Sequence, residues 1–155
     1  MHKKWKPLII ALAIPLAVGG LSALLSGGMD TYKTLNQPPL SPPGWIFPVV
    51  WSVLYLLMGY ASYRVYTSDS PQPEVKKALT AYGIQLFLNF LWSPVFFGLQ
   101  WYWVAFVLLV LLWIAIYLTM HLFGQIDDTA ENLLIPYLLW VTFAGYLNLG
   151  TALLN

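Results

Sequence analysis

The sequence predicts an all-α membrane protein, a bundle of five transmembrane helices, and three observations carry that prediction. Of its 155 residues, 59% are hydrophobic and 8% are charged, which is not the composition of a soluble domain. No Asp, Glu, Lys or Arg occurs from residue 78 to residue 126, a length that holds two spans of about 20 residues. The apolar runs are continuous and do not alternate with polar residues, which favours helices over β-barrel strands.

The same length criterion, applied along the chain, predicts a single domain over residues 1–155 with five helices. They are expected at residues 6–27, 44–66, 79–97, 103–122 and 132–154. The segment 98–102 is the predicted turn between the third and fourth helices. Residues 28–43, named here the lid loop, connect the first two helices.

The first helix has a second interpretation, because lysines precede an apolar run that ends in small residues. That pattern is also typical of a cleaved signal peptide, and its removal would leave four spans. The run continues to Leu25, beyond the usual signal-peptide core, so a transmembrane helix is preferred. Gly19, Ala23 and Gly27 recur at intervals of four, a spacing that permits close contact with another helix.

The second helix follows the most distinctive segment of the chain, QPPLSPPGWIFPVVWSVLY, from Gln37 to Tyr55. Its prolines at 38, 39, 42 and 43 restrict φ and push each preceding residue toward extended geometry. Such a loop should hold one shape, and pre-ordered loops lose little entropy on binding. We therefore expect the lid loop to close a pocket beside the aromatic start of the second helix.

Basic residues predict the orientation of the bundle. Six of them fall on the N-terminal side of a five-span arrangement and only Lys33 falls on the other; the six are Lys3, Lys4, Lys6, Arg64, Lys76 and Lys77. The prediction is a multi-pass protein of the cell membrane, with the N-terminus in the cytoplasm and residues 28–43 outward. The net charge of +1 and the lack of a dense basic patch argue against a nucleic-acid partner.

Several kinds of chemistry are disfavoured. The chain has no cysteine, and its histidines, His2 and His121, are too few and too far apart for a metal site. Haem ligation by His121 is less favoured than an interfacial role. No ionisable side chain lies deep in a predicted span, which disfavours coupled transport and acid–base hydrolysis. No catalytic residue, bound metal or required cofactor is therefore predicted.

Three of the helices carry a face on which aromatic rings mix with small or amide residues. The members are Pro48, Trp51, Ser52, Tyr55, Gly59, Ser62 and Tyr66 on the second helix, Gln85, Asn89, Trp92, Ser93 and Phe96 on the third, and Pro136, Trp140, Phe143, Ala144 and Leu147 on the fifth. Because amide side chains avoid lipid, these faces should turn toward one another. Two interpretations remain open: helix packing with interhelical hydrogen bonds, or a pocket for a flat hydrophobic ligand.

These blocks resemble the TspO/MBR family of tryptophan-rich sensory proteins and translocator proteins, once called peripheral-type benzodiazepine receptors. The matching segments are Gln37 to Tyr55, MGYASYRVY from Met58, GIQLFLNFLWSPVFFG from Gly83 and PYLLWVTFAGYLN from Pro136, in one order over nearly the whole chain. The resemblance implies a five-helix membrane protein, usually a homodimer, that binds porphyrins such as protoporphyrin IX and haem. In bacteria it implies a tetrapyrrole sensor or regulator linked to light and oxidative stress.

The resemblance also implies a ligand site. Trp51 and Trp140 match the family's paired pocket tryptophans, and we expect them to face each other across the macrocycle, with the lid loop gating access. Residues at other matching positions, together with Tyr55 from the face that carries Trp51, complete the expected site: Tyr32, Pro42, Pro43, Gly44, Asn89, Trp92, Phe96, Phe143, Ala144 and Leu147.

Two alternatives to a sensor remain open under the resemblance. One is transport of porphyrins or lipids, and the other is light-dependent porphyrin degradation with Trp51 and Trp140 as participants; an enzyme is not the preferred interpretation. The last helix lacks the Tyr followed by Lys or Arg that animal members use as a cholesterol pattern. Cholesterol binding through that pattern is therefore not expected.

Overall fold

The computed structural model describes residues 5–27 and 34–155, and all regular secondary structure in that part of the chain is helical. The elements are α1 Trp5–Leu25, α2 Ile46–Tyr66, α3 Gln72–Ser93, α4 Tyr102–Gly124, the short α5 Asp128–Leu133 and α6 Ile135–Leu154. A π-helical turn, Pro94–Gly98, extends α3. Two expectations, the site residue Tyr32 and the first part of the lid loop, lie outside the described residues.

Four helical segments of the described chain are long and apolar enough to cross a membrane: α1, α2, α4, and α5 together with α6. The expected all-α class and its membrane character are confirmed. The third long helix, α3, is less apolar because Lys76 and Lys77 lie near its start and the amides of Gln85 and Asn89 lie further along. From Ala78 onward α3 carries no charge.

The third helix begins at Gln72 and not at the expected residue 79. Pro71 precedes it and Pro73 lies in its first turn, where the N–H that proline lacks would have no intrahelical partner. Charged residues in these first turns do not prevent helix formation, but they interrupt the apolar run that predicts the helix in the sequence. A search by hydrophobicity alone therefore places the start of this helix too late.

The last predicted helix, residues 132–154, is divided at Leu134 into α5 and α6. Asp127 caps α5, because its carboxylate accepts hydrogen bonds from two backbone N–H groups in the first turn of that helix. Pro136 lies in the first turn of α6, a position where proline breaks no hydrogen bond. Pro136 therefore marks the start of a helix.

Pro94 ends the α-helical part of α3. The Leu99 N–H donates to the Pro94 carbonyl at 2.9 Å, the five-residue hydrogen bond of a π turn. This turn buries Phe96 and Phe97, and α4 then starts at Tyr102. The expected turn at residues 98–102 is confirmed.

The two ends of the bundle differ in charge. The lid end, where α1 finishes and α2 begins, carries none of the charged side chains of the described chain. The other end, named here the charged end, carries Lys6, Arg64, Asp69, Glu74, Lys76, Lys77, Asp127, Asp128 and Glu131. There Arg64 Nε, in the last turn of α2, donates to Asp127 Oδ2 at 2.9 Å and ties α2 to the start of α5.

Candidate functional site

Trp51 is the centre at which three helices meet. Its ring is stacked on Tyr55 one turn along α2, with centroids 5.6 Å apart. Trp92 of α3 lies 6.5 Å away, and Tyr137 and Trp140 of α6 lie 6.2 and 6.5 Å away. The aromatic faces predicted for these helices therefore do converge.

Trp51 and Trp140 nevertheless leave no room for a ligand between them. Their rings are perpendicular, at 88°, with centroids 6.5 Å apart, which is direct edge-to-face contact. A flat ligand between two faces needs parallel rings about 7 Å apart, two contact distances of about 3.5 Å. The expectation that a cavity separates these tryptophans is wrong for this structure, because the two rings are in direct contact; Phe47 also packs on Trp140, with ring centroids 5.8 Å apart.

A cavity of about 360 Å³ lies on another side of Trp51, among α1, α2 and α3. This volume is within the range of small-molecule pockets. The wall consists of Leu16, Gly19, Gly20, Ser22, Ala23 and Ser26 from α1 and its end, Phe47, Pro48, Trp51, Ser52 and Tyr55 from α2, and Asn89, Trp92, Ser93 and Phe97 from α3 and its π turn.

The residues of α1 in that wall are not among the expected site residues. The one signal in the sequence is the spacing of Gly19 and Ala23, which by itself indicates helix contact. In the structure Tyr55 does fill the space beside Gly19, but a Cβ added to the adjacent Gly20 would meet no atom within 4 Å. Small residues on α1 therefore have two roles: some allow close packing against another helix, and others leave space that forms part of the cavity.

The expected site residues that the structure describes divide among four places. Trp51, Tyr55, Asn89 and Trp92 line the cavity. Phe96, Ala144 and Leu147 line a smaller gap beside it. Trp140 and Phe143 line a shallow surface groove between α2 and α6. Pro42, Pro43 and Gly44 precede α2 and lie outside the wall of the cavity.

Buried hydrogen bonds link three helices beneath the cavity. Tyr55 Oη donates to Asn89 Oδ1 at 2.9 Å, and Asn89 Nδ2 donates to Tyr137 Oη at 2.7 Å. Tyr137 in turn donates to Gln85 Oε1 at 2.6 Å. The amides therefore act as interhelical hydrogen-bond partners, as the packing interpretation predicts, and Asn89 also lines the cavity.

The contact between α1 and α3, named here the serine seam, is closed by side-chain hydroxyls. Ser22 Oγ donates to the Phe90 carbonyl at 2.9 Å, and Ser26 Oγ donates to the Ser22 carbonyl at 2.7 Å. Ser26 and Ser93 pair through their hydroxyls at 2.7 Å. The cavity is therefore sealed along this side.

The contact between α1 and α2 is named here the glycine seam. The two helices touch around Gly59, which is its closed level, and are separated nearer the lid end. A Cβ on Gly59 would lie 2.6 Å from the Ala11 carbonyl oxygen, so the two backbones touch there. Nearer the lid end, the exposed residues of the cavity wall all belong to these two helices: Leu16, Gly20, Ala23, Pro48 and Ser52. The cavity therefore opens sideways, between α1 and α2.

The described part of the lid loop is fastened to α6. Tyr146 Oη donates to the Pro39 carbonyl at 2.6 Å, and Asn155 Nδ2 donates to the Asn36 carbonyl at 2.9 Å. The ring of Pro38 packs where a Cβ of Gly150 would stand. These contacts lie on the α6 side of the bundle, away from the opening between α1 and α2.

The chain matches known proteins over nearly its whole length. Residues 11–154 match the TspO/MBR family. The tryptophan-rich protein TspO of Chlorobaculum tepidum is 40% identical over 157 residues, covering 100% of this chain and 99% of that protein. The tryptophan-rich sensory protein of Cereibacter sphaeroides is 37% identical over 155 residues, covering 100% and 95%. The translocator protein of Bos taurus is 36% identical over 151 residues, covering 96% and 89%.

Proposed function

This chain belongs to the TspO/MBR family, and from that premise we propose that it is an integral membrane protein that binds a tetrapyrrole. The ligand is protoporphyrin IX or haem, and its occupancy reports porphyrin level and oxidative or light stress. The observation that carries the proposal is the cavity of about 360 Å³ beside Trp51. Its wall offers several aromatic rings, and flat π systems gain from ring contact beyond the area they bury.

Within that cavity, Trp51 is the residue best placed to contact a macrocycle. It lies between Tyr55 and Trp92, and all three rings line the same space. Asn89 supplies the nearest amide, held in place by its bonds to two tyrosines. Trp140 contacts Trp51 on the side away from the cavity and acts as a positioning residue.

The arrangement in the membrane is part of the proposal. The five long helices all span, with the apolar part of α3 as the third span, and the protein is a homodimer in the cell membrane. The cations at the charged end, Lys6, Arg64, Lys76 and Lys77, support a cytoplasmic location for that end and an outward lid loop.

Tryptophan fluorescence tests the ligand proposal. Protoporphyrin IX titrated into the protein in lipid nanodiscs should quench fluorescence to a saturable, stoichiometric endpoint. Trp51→Phe replaces the two-ring indole and its N–H with a smaller ring, and because an aromatic contact is worth up to about 1.5 kcal/mol, binding should weaken by up to about tenfold. The matched control is Trp113→Phe, since Trp113 is on α4 and lies outside the cavity wall. Equal loss in both variants, or unsaturable quenching, would contradict the proposal.

Light-dependent degradation of the bound porphyrin is the second candidate. It is favoured by one observation, that two indoles, Trp51 and Trp92, line the same cavity with centroids 6.5 Å apart. Illumination of the porphyrin with and without protein, followed by product analysis, separates this candidate from passive binding. A product that forms only with protein and is lost in Trp51→Phe supports degradation.

A further inference from the structure

We propose that the cavity recognises only the uncharged ring system of a planar ligand that enters from the lipid, and that the carboxylates of a porphyrin add nothing to its affinity. This inference rests on the proposed function and specifies the chemical class of its ligand. It is carried by three independent features of the described residues: the distribution of charge, the hydrogen bonds of the cavity wall and the direction of its opening.

The charged side chains and the cavity lie in opposite halves of the bundle. Every described Asp, Glu, Lys and Arg lies at the charged end, whereas the cavity lies in the half toward the lid end. The nearest such cation along α2 is Arg64, and it is engaged by Asp127 at 2.9 Å. An ionised carboxylate in an apolar cavity without a counter-charge is costly.

The hydroxyl groups of the wall have already donated their hydrogens within the protein. Ser22 donates to the Phe90 carbonyl, Ser52 donates to the Pro48 carbonyl at 2.7 Å, and Tyr55 donates to Asn89. The Ser26 hydroxyl donates to a carbonyl of α1 and so accepts from its other partner, the hydroxyl of Ser93. The Trp92 indole N–H is also engaged, since it donates to Asn148 Oδ1 at 2.9 Å. What the wall leaves for a ligand is the second N–H of the Asn89 amide and the Trp51 indole N–H, and neither group carries a charge that could balance a carboxylate.

The opening of the cavity faces the hydrocarbon of the bilayer. Gly20 and Ser52, on its rim, are exposed and belong to two helices of membrane-spanning length. Gly20 lies five residues before the end of α1 at Leu25, about 7.5 Å along the helix axis. A ligand that reaches the cavity this way must first dissolve in lipid, which charged groups disfavour.

The test compares protoporphyrin IX with its dimethyl ester, two porphyrins with the same ring and different charge. Both are titrated into the protein in nanodiscs of zwitterionic lipid, with tryptophan quenching as the readout and empty nanodiscs as the partition control. The ester should bind at least as tightly as the free acid. Binding of the acid at least tenfold tighter than the ester would overturn the inference and leave the proposed function intact. Saturable binding of neither would instead count against the proposed function.

Lys33, which lies outside the described residues, provides a check on counter-charge. Lys33→Gln should leave the affinities of both porphyrins within about twofold of the parent protein. A selective tenfold loss for the free acid would show that a cation recognises the carboxylates, and the inference would be wrong.

The opening is tested with two glycines of the same kind. A Cβ on Gly20 or on Gly83 would meet no atom within 4 Å, and both residues are exposed on long helices, but only Gly20 lines the cavity. Gly20→Leu should slow association of the ester and weaken its binding by at least tenfold, whereas Gly83→Leu should do neither. Unchanged ester binding in Gly20→Leu, with thermal stability equal to that of Gly83→Leu, would overturn entry between α1 and α2.

Discussion

The serine seam and the glycine seam run along the same helix, α1, and they close in different ways. On the α3 side, Ser22 and Ser26 join the helices through hydroxyl hydrogen bonds of 2.9 Å to the Phe90 carbonyl and 2.7 Å to the Ser93 hydroxyl. On the α2 side, Gly59 and Ala11 bring two backbones together at one level, and beyond it the helices enclose a cavity that opens beside Gly20. The difference shows that a small residue makes a contact only where the partner helix is close enough to use it.

The largest effect is expected from filling the closed level of the glycine seam. Gly59→Leu introduces a Cβ that would stand 2.6 Å from the Ala11 carbonyl oxygen, so the α1 backbone must move. Overpacking of this kind costs about 1–3 kcal/mol or more, and we expect a clear fall in the thermal unfolding midpoint in detergent. Gly83→Leu is the control, and equal midpoints for the two variants would contradict a close contact here.

The buried network beneath the cavity should come next in size. Asn89→Leu removes the acceptor for Tyr55 and the donor to Tyr137, both buried. An unpaired buried hydroxyl costs about 1–3 kcal/mol, which should appear as a lower unfolding midpoint. Tyr137 keeps Gln85 as a partner, so the hydroxyl left unpaired is that of Tyr55. The double variant Asn89→Leu with Tyr55→Phe removes this hydroxyl and should recover part of the loss. No recovery would indicate that the Tyr55 hydroxyl finds another partner.

The serine seam should respond more weakly. Ser26→Ala deletes the hydroxyl that bonds the Ser22 carbonyl and pairs with Ser93, and such a bond contributes about 0.5–1.5 kcal/mol. Stability should fall modestly while porphyrin affinity changes by less than about threefold, since the wall keeps its aromatic rings. A loss of affinity larger than that of Trp51→Phe would mean that this seam, and not the aromatic group, governs binding.

The smallest effect concerns the charged end and depends on pH. Burial alone would raise the pKa of the Asp127 carboxyl, but hydrogen bonds from the Ala130 N–H, Arg64 and the Thr129 N–H outweigh it and hold that pKa below its ordinary value. Because the folded pKa is the lower one, the stabilisation is present above the unfolded pKa and is lost as pH falls through the folded pKa.

Asp127→Asn isolates that ion pair, since Asn remains a good helix cap. The unfolding midpoint should fall slightly at pH 7, and the difference from the parent protein should shrink as pH is lowered. Arg64→Gln should give the same pH profile. No difference at any pH would mean that Asp127 acts mainly as a cap, a role that Asn keeps. A difference that persists at low pH would mean that the effect does not come from the ion pair.

Much of this architecture follows from the sequence, because the lipid imposes strong patterns on it. The charge-free stretch from residue 78 to residue 126 and the turn after Gly98 place α3 and α4, and helical spacing brings Trp51, Trp92 and Trp140 together. What the sequence does not carry is information that depends on packing distance. Helical spacing predicts that Trp51 and Trp140 lie on facing helices. It does not predict that their rings are in edge-to-face contact, with centroids 6.5 Å apart.

The α1 wall of the cavity escapes prediction for a related reason. Gly19 and Gly20 are adjacent glycines, yet the ring of Tyr55 occupies the space beside Gly19, whereas the space beside Gly20 is empty. Adjacent residues of a helix point about 100° apart around its axis, so which of the two faces Tyr55 depends on how α1 is rotated against α2. The early start of α3 escapes prediction because charged turns lie outside any apolar criterion.

The central claim is that the ligand binds on the α1 side of Trp51 and not between Trp51 and Trp140. Titration of protoporphyrin IX dimethyl ester into Trp51→Phe and Trp140→Phe, side by side in the same nanodiscs, tests it most directly. Trp51 lines the cavity, whereas Trp140 lines only the surface groove on its far side. We predict about tenfold weaker binding for Trp51→Phe and a change below about threefold for Trp140→Phe. Equal losses in the two variants, or a larger loss in Trp140→Phe, would contradict the claim.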